Sequence, residues 1–401
     1  MGRFDFQPSG QARRYDLDHL RVLAFVVLVI THAANLFVGW GSWPVRSGHV
    51  SWGLERVMLF ICLWRLPLVF LIAGAGAAYS LGKRGSGGFL WERMSRLVPP
   101  LMAGIFLIAP LQTWMEGRLQ NQVSGSFLAF LPEVWRSGPA PEGMLGWQHL
   151  WFVAYLLVIS IGLAMLQAAA SERIPAGLAG IGSRLLQTQS GLLLLGLIPA
   201  FLTAWLGANH PPTYTLTSDW WNLSQSVFFF LAGWMLVRLK GGLERVEALR
   251  FRALQLGLLS IGLLYTQDWL GIRTLWWWDG GWHFFAKGMA SWAWVLAIAG
   301  FGARYLNRPS VALKTANAAV FPFFLWHLAV LWGVGIFLAW VQWSFLVEFV
   351  LAVVLTLVGT ALVVLCIQAF DPMRVLFGMQ PRKAFFPAEE DAEVTPEPRR
   401  F

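Results

Sequence analysis

His32 is the residue whose type and position most directly indicate chemistry. It lies in an otherwise apolar stretch that follows Arg21 and continues through Thr31. An ionisable side chain at membrane depth is costly and is therefore a functional-site candidate by default. A neutral imidazole at this depth can accept a proton from a reacting hydroxyl as a general base. The alternative is a histidine that bonds a neighbouring helix for packing alone.

Asp18 and Arg21 precede His32 on the same predicted helix. The eleven residues from Arg21 to His32 make almost three turns, which leaves the two side chains within about 20° of each other and about 16 Å apart along the axis. Asp18, three residues before Arg21, falls on the same side and can hold its guanidinium. The spacing predicts one helix face with an ion pair at its rim and an imidazole deep inside.

Arg65 is a second charged residue within an apolar stretch. Counted at about 1.5 Å per residue from the outer end of its helix, it reaches a depth similar to that of His32. A cation near an imidazole disfavours the protonated ring, so Arg65 would keep His32 neutral. Alternatively, Arg65 pairs with Glu348, Asp268 or backbone carbonyls and has no part in chemistry.

Three further candidates lie in aromatic segments. His149 and Trp151 open the fourth predicted membrane span, and His327 lies in the middle of the ninth. Each histidine either lines a substrate site or satisfies a hydrogen bond within the helix bundle. A tryptophan at a helix end is usually an interface anchor, which is the alternative for Trp151.

Arg93 and Arg96 stand directly before the third predicted span. Two arginines three residues apart share a helix face, and guanidinium groups suit phosphate. The alternative is that these arginines only set the orientation of the protein in the membrane.

The composition indicates that membrane helices carry these residues. Of 401 residues, 57% are hydrophobic and 13% are charged, whereas soluble domains contain about 45–50% apolar and about 25% charged residues. The 24 Trp and 30 Phe exclude an intrinsically disordered chain. Cys62 and Cys366 form neither a disulfide framework nor a metal-ligand spacing. We therefore predict an integral membrane protein, in which the net charge of +9 sets orientation rather than nucleic-acid binding.

Ten apolar segments are long enough to cross a hydrocarbon core of about 30 Å, which takes about 20 residues. They are 20–39, 55–81, 97–115, 149–168, 191–206, 221–237, 253–270, 282–303, 318–340 and 345–370. With the N-terminus inside, inner segments carry 22 Lys and Arg and outer segments carry four, as the positive-inside rule requires. We predict an all-α polytopic protein with both termini cytoplasmic and the loop 116–148 outside. A transmembrane domain covers 1–380, and a disordered cytoplasmic tail covers 381–401.

Taken in order along the chain, these motifs resemble the membrane acyltransferase family 3. The first helix of that family carries Leu-Asp-x-Leu/Ile-Arg and a histidine eleven residues after the arginine, which correspond to residues 17–21 and His32. Its third helix opens with Arg-x-x-Arg, as residues 93–96 do. A His-Leu-Trp-Phe segment starts its fourth helix, like residues 149–152, and a late aromatic helix carries a histidine, like His327.

The resemblance implies an O-acyltransferase that moves succinyl, acetyl or a similar group from cytoplasmic acyl-CoA to a hydroxyl of a glycan or other envelope carbohydrate. The general base would be His32. The residues and the resemblance together predict catalytic roles for His32, Asp18 and Arg21, donor binding by Arg93 and Arg96, and substrate binding by Arg65, His149, Trp151 and His327. The predicted location is a bacterial inner membrane. Acyl-CoA, the carbohydrate and the lipid bilayer are the predicted partners, without a bound cofactor, metal or nucleic acid.

Within the family, residues 65–74 and 149–152 most resemble a membrane succinyltransferase that acts on glucans. The chain departs from that branch at Ala73, where a serine is typical, and at Leu328, where a second histidine is typical. The general reaction therefore carries over better than the succinyl group.

Two other classes of protein compete with this interpretation. A polytopic transporter or flippase could use His32, Arg65 and Lys287 to line a path for a polar or lipid-linked solute. A metal or redox enzyme is disfavoured because the chain has no His-x-x-His or Glu-x-x-His pair. Within the acyltransferase interpretation, no activated Ser or Cys lies beside a base in sequence, which favours direct transfer over an acyl-enzyme.

Overall fold

The computed structural model describes residues 14–41, 43–140, 142–169, 187–207, 209–270, 281–380 and 382, with the backbone alone for 267–270. Apart from Arg382, the predicted tail 381–401 lies outside the described residues. The described residues form helices and no β-sheet. The α-helices are α1 (Tyr15–Ala34), α2 (Trp52–Ala103), α3 (Ala109–Leu119), α4 (Phe127–Ser137), α5 (Trp151–Ala169), α6 (Gln189–Leu194), α7 (Leu197–Leu202), α8 (Trp220–Arg238), α9 (Gly242–Leu270), α10 (Gly281–Tyr305), α11 (Val311–Val341), α12 (Phe345–Ala369) and α13 (Asp371–Leu376).

Eight helical stretches of the described residues are long and apolar enough to cross a membrane. The longest, Trp52–Leu119, has 68 residues and would extend over about 100 Å at 1.5 Å per residue, far more than one hydrocarbon core. Its backbone leaves helical angles at Gly85, with φ 68° and ψ −179°, a conformation that glycine adopts without steric cost. The stretch therefore contains two predicted spans, 55–81 and 97–115. The all-α, polytopic membrane architecture is confirmed.

Two helices differ from the sequence-based expectation. The helix α8 coincides with the predicted span 221–237 but is not among the eight apolar stretches. Its polar residues include Gln225, which donates to the carbonyl oxygen of Pro199 and to the hydroxyl of Thr203. The helix α4 lies within the predicted outer loop 116–148 and was not predicted.

A close contact between α2 and α8 depends on two glycines. A Cβ atom added at Gly74 would overlap the carbonyl oxygen of Phe230, and one added at Gly233 would overlap that of Leu71. Small residues let membrane helices approach closely in this way. The run of small residues 73–78 on α2 is typical of such an approach. The contact fixes the part of α2 that carries Arg65.

An aromatic cluster joins the four helices that surround the candidate site. The ring centroid of Phe152 on α5 lies 4.8 Å from that of Phe70 on α2 and 5.9 Å from that of Phe324 on α11. Phe324 also lies 5.5 Å from Phe25 on α1. Aromatic pairs at these separations stabilise packing beyond their buried area. The cluster therefore sets the distances between the helices that carry the histidines.

Candidate active site

His32 and His327 form a direct hydrogen bond across 295 residues of chain. His32 lies in the last turn of α1, and its Nδ1 is 2.8 Å from Nε2 of His327 in the middle of α11. His327 is fully buried, whereas the side chain of His32 stays partly exposed. The two histidines that the sequence placed on separate helices thus lie in one cluster, and His32 is the less buried of the two.

The third predicted histidine, His149, joins the same cluster. Its Nε2 is 3.2 Å from the carbonyl oxygen of Phe324, which is also 2.6 Å from Nδ1 of His327. The side chain of Gln112 lies 3.4 Å from Nδ1 of His149. Sequence reasoning missed Gln112, although a polar side chain within a predicted span is itself a signal.

The three histidines lie close together, but their nitrogens are used for hydrogen bonds and do not point at a common centre as metal ligands would. Among the described residues, no group of three His, Cys, Asp or Glu side chains could hold a metal ion. Nitrogens that share a zinc ion each lie about 2.0–2.1 Å from it and point at one centre. Here Nδ1 of His32 points at Nε2 of His327, and the other bonded nitrogens of His327 and His149 point at a carbonyl oxygen.

Arg65 is buried beside His32 and bonds the residue that precedes it. Its guanidinium donates to the hydroxyl of Thr31, which in turn donates to the carbonyl oxygens of Val27 and Leu28. Of the alternative partners considered for Arg65, Glu348 accepts a hydrogen bond from Ser47 at 2.6 Å. The side chain of Asp268 lies outside the described residues. The structure therefore places Arg65 against the helix turn that carries His32.

A small cavity lies beside this arginine, with a volume of about 10 Å³, which is roughly the room that one water molecule needs. Its walls are apolar and aromatic, except for Arg65, and they include Leu28, Phe152 and Phe324. The residues that α1 contributes to the walls, 24, 25 and 28, lie between Arg21 and His32 in sequence. The cavity therefore adjoins one turn of α1 that lies between Arg21 and His32.

Asp18 and Arg21 form the ion pair that their spacing predicted, at the opposite end of α1 from His32. Their nitrogen and oxygen atoms are 3.7 Å apart. Asn317 on α11 completes the group, because it accepts from Arg21 and donates to Asp18, each at 3.1 Å. The 11-residue offset keeps this group about 16 Å from His32 along the axis. The structure does not bring Asp18 or Arg21 into the histidine cluster, and their catalytic role stays a prediction.

Arg93 and Arg96 have different surroundings, which their spacing alone did not indicate. Arg96 is exposed and lies 3.5 Å from a carboxylate oxygen of Glu92, which also pairs with Arg84 at 3.3 Å and accepts from Ser80. Arg93 turns inward, with its guanidinium over the ring of Phe89 at 5.2 Å. Its Nε has no hydrogen-bond partner among the described residues. The two arginines therefore differ in their surroundings: Arg96 pairs with a carboxylate at the surface, whereas Arg93 packs on an aromatic ring.

Trp151 belongs to an aromatic group that adjoins His149. Its ring lies 5.1 Å from that of Tyr214, whose carbonyl oxygen accepts a hydrogen bond from the indole of Trp147 at 2.8 Å. Asp219 accepts from the backbone of Tyr214 and from the hydroxyl of Tyr155. These contacts hold a partly exposed aromatic surface at the start of α5.

Comparison with known families decides the class of this protein. A family model described as an acyltransferase domain matches residues 14–365, well over half of the 401-residue chain. The chain belongs to acyltransferase family 3. The matched region of this acyltransferase contains every predicted site residue, from Asp18 to His327. Comparisons with curated proteins and with solved structures found no match.

Membership makes this family 3 protein a membrane acyltransferase that transfers acyl groups other than amino-acyl groups. The predicted enzyme class and the integral membrane character are confirmed. The family match does not support the alternative that the protein is a transporter or flippase. The identity of the donor and acceptor, and the role of each site residue, stay predictions.

Proposed function

We propose that the protein transfers an acyl group from cytoplasmic acyl-CoA to a hydroxyl of an envelope carbohydrate, with His32 as the general base. The observation that carries this proposal is the placement of His32, which is hydrogen-bonded to His327 and lies next to the buried cation Arg65. The family membership supports the acyl-transfer chemistry.

The donor would bind at the basic end of the bundle. Arg93 would contact the CoA phosphates, because its guanidinium is uncommitted to a carboxylate and guanidinium–phosphate hydrogen bonds are strong. Arg96 would contribute mainly long-range attraction, since it is exposed and paired with Glu92. Asp18 and Arg21, held by Asn317, would order the entrance.

The transfer itself needs a base and a group that stabilises negative charge. His32 would take the proton from the acceptor hydroxyl as its oxygen attacks the thioester carbonyl carbon. The carbonyl oxygen would then carry negative charge next to Arg65, a buried cation that is positioned before the reaction begins. Breakage of the carbon–sulfur bond would release the ester and the CoA thiolate. The thiolate would recover the proton from His32.

The acceptor would approach from the face that carries the loop 116–148. His149 and the aromatic surface formed by Trp147, Trp151 and Tyr214 adjoin the histidine cluster there. The resemblance to the family supports a glycan or other envelope carbohydrate as the acceptor, succinyl, acetyl or a similar transferred group, and location in a bacterial inner membrane.

Transfer by the purified full-length protein in lipid nanodiscs tests the proposal. Acetyl-CoA and succinyl-CoA are each supplied with a linear glucan oligosaccharide, and mass spectrometry measures the acylated sugar. We expect the product to gain the mass of one acyl group for one of the donors. If neither donor acylates the sugar and neither binds the protein, the proposed donor class is wrong. Donor binding without a sugar product would refute the acceptor alone.

A further inference from the structure

We propose that His327 fixes the tautomer of His32, so that Nε2 of His32 is the nitrogen that takes the substrate proton. The inference rests on the proposed function, in which His32 is the general base. It gives His327 the role of a positioning residue, which acts on the reaction through His32 rather than by touching the substrate.

The carbonyl oxygen of Phe324 determines which nitrogen of His327 carries the proton. A carbonyl can only accept a hydrogen bond, and this oxygen lies 2.6 Å from Nδ1 of His327. His327 therefore carries its proton on Nδ1. In a neutral imidazole the other nitrogen is then a hydrogen-bond acceptor, which leaves Nε2 of His327 with a free lone pair.

The surroundings of His327 favour the neutral ring. The side chain is fully buried and lies against the aromatic rings of Phe324 and His149. The cation Arg65 lies in the same region, since it bonds Thr31, the residue directly before His32. A second buried cation beside Arg65 would lose hydration and meet like charge.

The tautomer of His32 follows from that of His327. Since Nε2 of His327 can only accept, the 2.8 Å contact requires a proton on Nδ1 of His32. The Nε2 of a neutral His32 is then unprotonated and can act as the base. In the proposed reaction this nitrogen faces the acceptor hydroxyl, and His32 as a residue is only partly buried.

The ring geometry supports a directed hydrogen bond rather than stacking. The two imidazole planes are 7° from parallel, and their centroids are 5.0 Å apart. The perpendicular distance between two parallel planes cannot exceed the distance between an atom in one plane and an atom in the other. Because Nδ1 of His32 lies 2.8 Å from Nε2 of His327, the two ring planes are closer than the van der Waals separation of about 3.5 Å that stacked rings need. The rings therefore meet edge to edge, where an imidazole nitrogen has its lone pair.

His149 supports the same arrangement from a third helix. It donates through Nε2 to the carbonyl oxygen of Phe324 that His327 uses, and its ring meets that of His327 at 89° with centroids 5.4 Å apart. This packing restrains the ring plane of His327. A neutral histidine thus occupies the place that a carboxylate has in a serine hydrolase triad, where the third residue holds the base in its working tautomer.

The direct test is ¹⁵N NMR of the full-length protein labelled with ¹⁵N-histidine. The His32 signals are assigned by their loss in His32→Gln. We expect a protonated Nδ1 and an unprotonated Nε2 in the unmodified protein. A protonated Nε2 on neutral His32 would overturn the proposal, whatever the activity of any variant.

Two substitutions of His327 then separate positioning from packing. His327→Gln retains a carbonyl acceptor for His32 and an amide donor for Phe324, whereas His327→Phe retains only the ring. We expect the phenylalanine variant to lose on the order of 10²-fold in kcat with an unchanged KM for the donor, and its His32 to lose the Nδ1–H preference. The glutamine variant should keep at least a tenth of the activity and the original tautomer.

His49→Phe is the matched control, because His49 lies partly exposed outside the cluster and bonds the carbonyl oxygen of Trp343. It should keep full activity. If the two His327 variants are equally active, His327 has only a packing role and the inference is overturned. Active His32→Gln enzyme would instead refute the proposed general base, and the tautomer measurement would still decide the present inference. If His327→Phe fails to fold, the unmodified protein's spectrum and His327→Gln remain decisive.

Discussion

The two ends of α1 show two different ways of building a functional region. At the His32 end, neutral rings from three helices meet through hydrogen bonds, and one cation, Arg65, lies beside them. At the Arg21 end, charged groups pair with neighbours three to eight residues away and are partly exposed. Exposed ion pairs contribute little stability and are screened by salt. The first region is therefore suited to proton transfer, and the second to reversible capture of an anion.

The largest expected effect comes from His32→Gln. Glutamine keeps hydrogen-bonding capacity but cannot take a proton, so acyl transfer should fall on the order of 10²–10⁴-fold. His32→Ala should be equally inactive and still insert, because interhelical hydrogen bonds in membranes average only about 0.6 kcal/mol. Steady-state transfer assays of purified, monodisperse protein measure both variants. High activity in the glutamine variant, with poor expression of the alanine variant, would assign His32 to packing.

At the other end of α1, Arg93→Ala should raise the Kd for acyl-CoA about tenfold, because it removes a charge-assisted contact worth about 1.5 kcal/mol. Arg96→Ala should raise it by about threefold or less, since Arg96 is 51% exposed and paired with Glu92. Isothermal titration calorimetry at two salt concentrations measures the Kd of acyl-CoA for both variants and shows how strongly salt screens each interaction. An equal effect of the two substitutions would contradict the inward and outward placement of the arginines.

Asn317→Leu addresses the link between α1 and α11 at the Arg21 end. It removes two hydrogen bonds, one donated by Arg21 to Asn317 and one donated by Asn317 to Asp18, and should cost about 1 kcal/mol of stability at the membrane average of about 0.6 kcal/mol each. Unfolding of the protein in mixed micelles measures the change. The Nδ1–H tautomer of His32 should stay the same. A changed tautomer would show that the two regions are coupled through the helices.

The last test has no expected effect on activity and asks on which side of the membrane each region lies. In a protein with Cys62 and Cys366 replaced by serine, Ser124→Cys should react with an impermeant thiol reagent in intact cells. Ser310→Cys, in the predicted inner loop between α10 and α11, should react only after lysis. Both positions are exposed. If Ser310→Cys reacts in intact cells and Ser124→Cys reacts only after lysis, the predicted topology is inverted. The proposed donor site would then face away from the cytoplasm.

Much of the architecture could be predicted from the sequence because it depends on local properties. Apolar length determines which segments become membrane helices, and a spacing of three residues brings Asp18 to Arg21 in any α-helix. A glycine-rich segment between two apolar stretches is also a local signal, although four glycines at 82, 85, 87 and 88 do not by themselves show which one breaks the helix. The run of small residues 73–78 is likewise a local signal for a close helix contact, but it does not reveal the partner, Gly233.

Only the tertiary structure decided which polar groups meet. Periodicity could not reveal that His32 bonds His327 or that Arg65 bonds Thr31 rather than Glu348. Each of these contacts depends on side-chain direction, and those between helices also depend on the rotation and axial offset of one helix against another. Those offsets are set by side-chain packing, here by the glycine contact of α2 with α8 and the aromatic cluster around Phe152. The sequence by itself determined the membrane helices and their charged ends; packing decided that three distant histidines form one site.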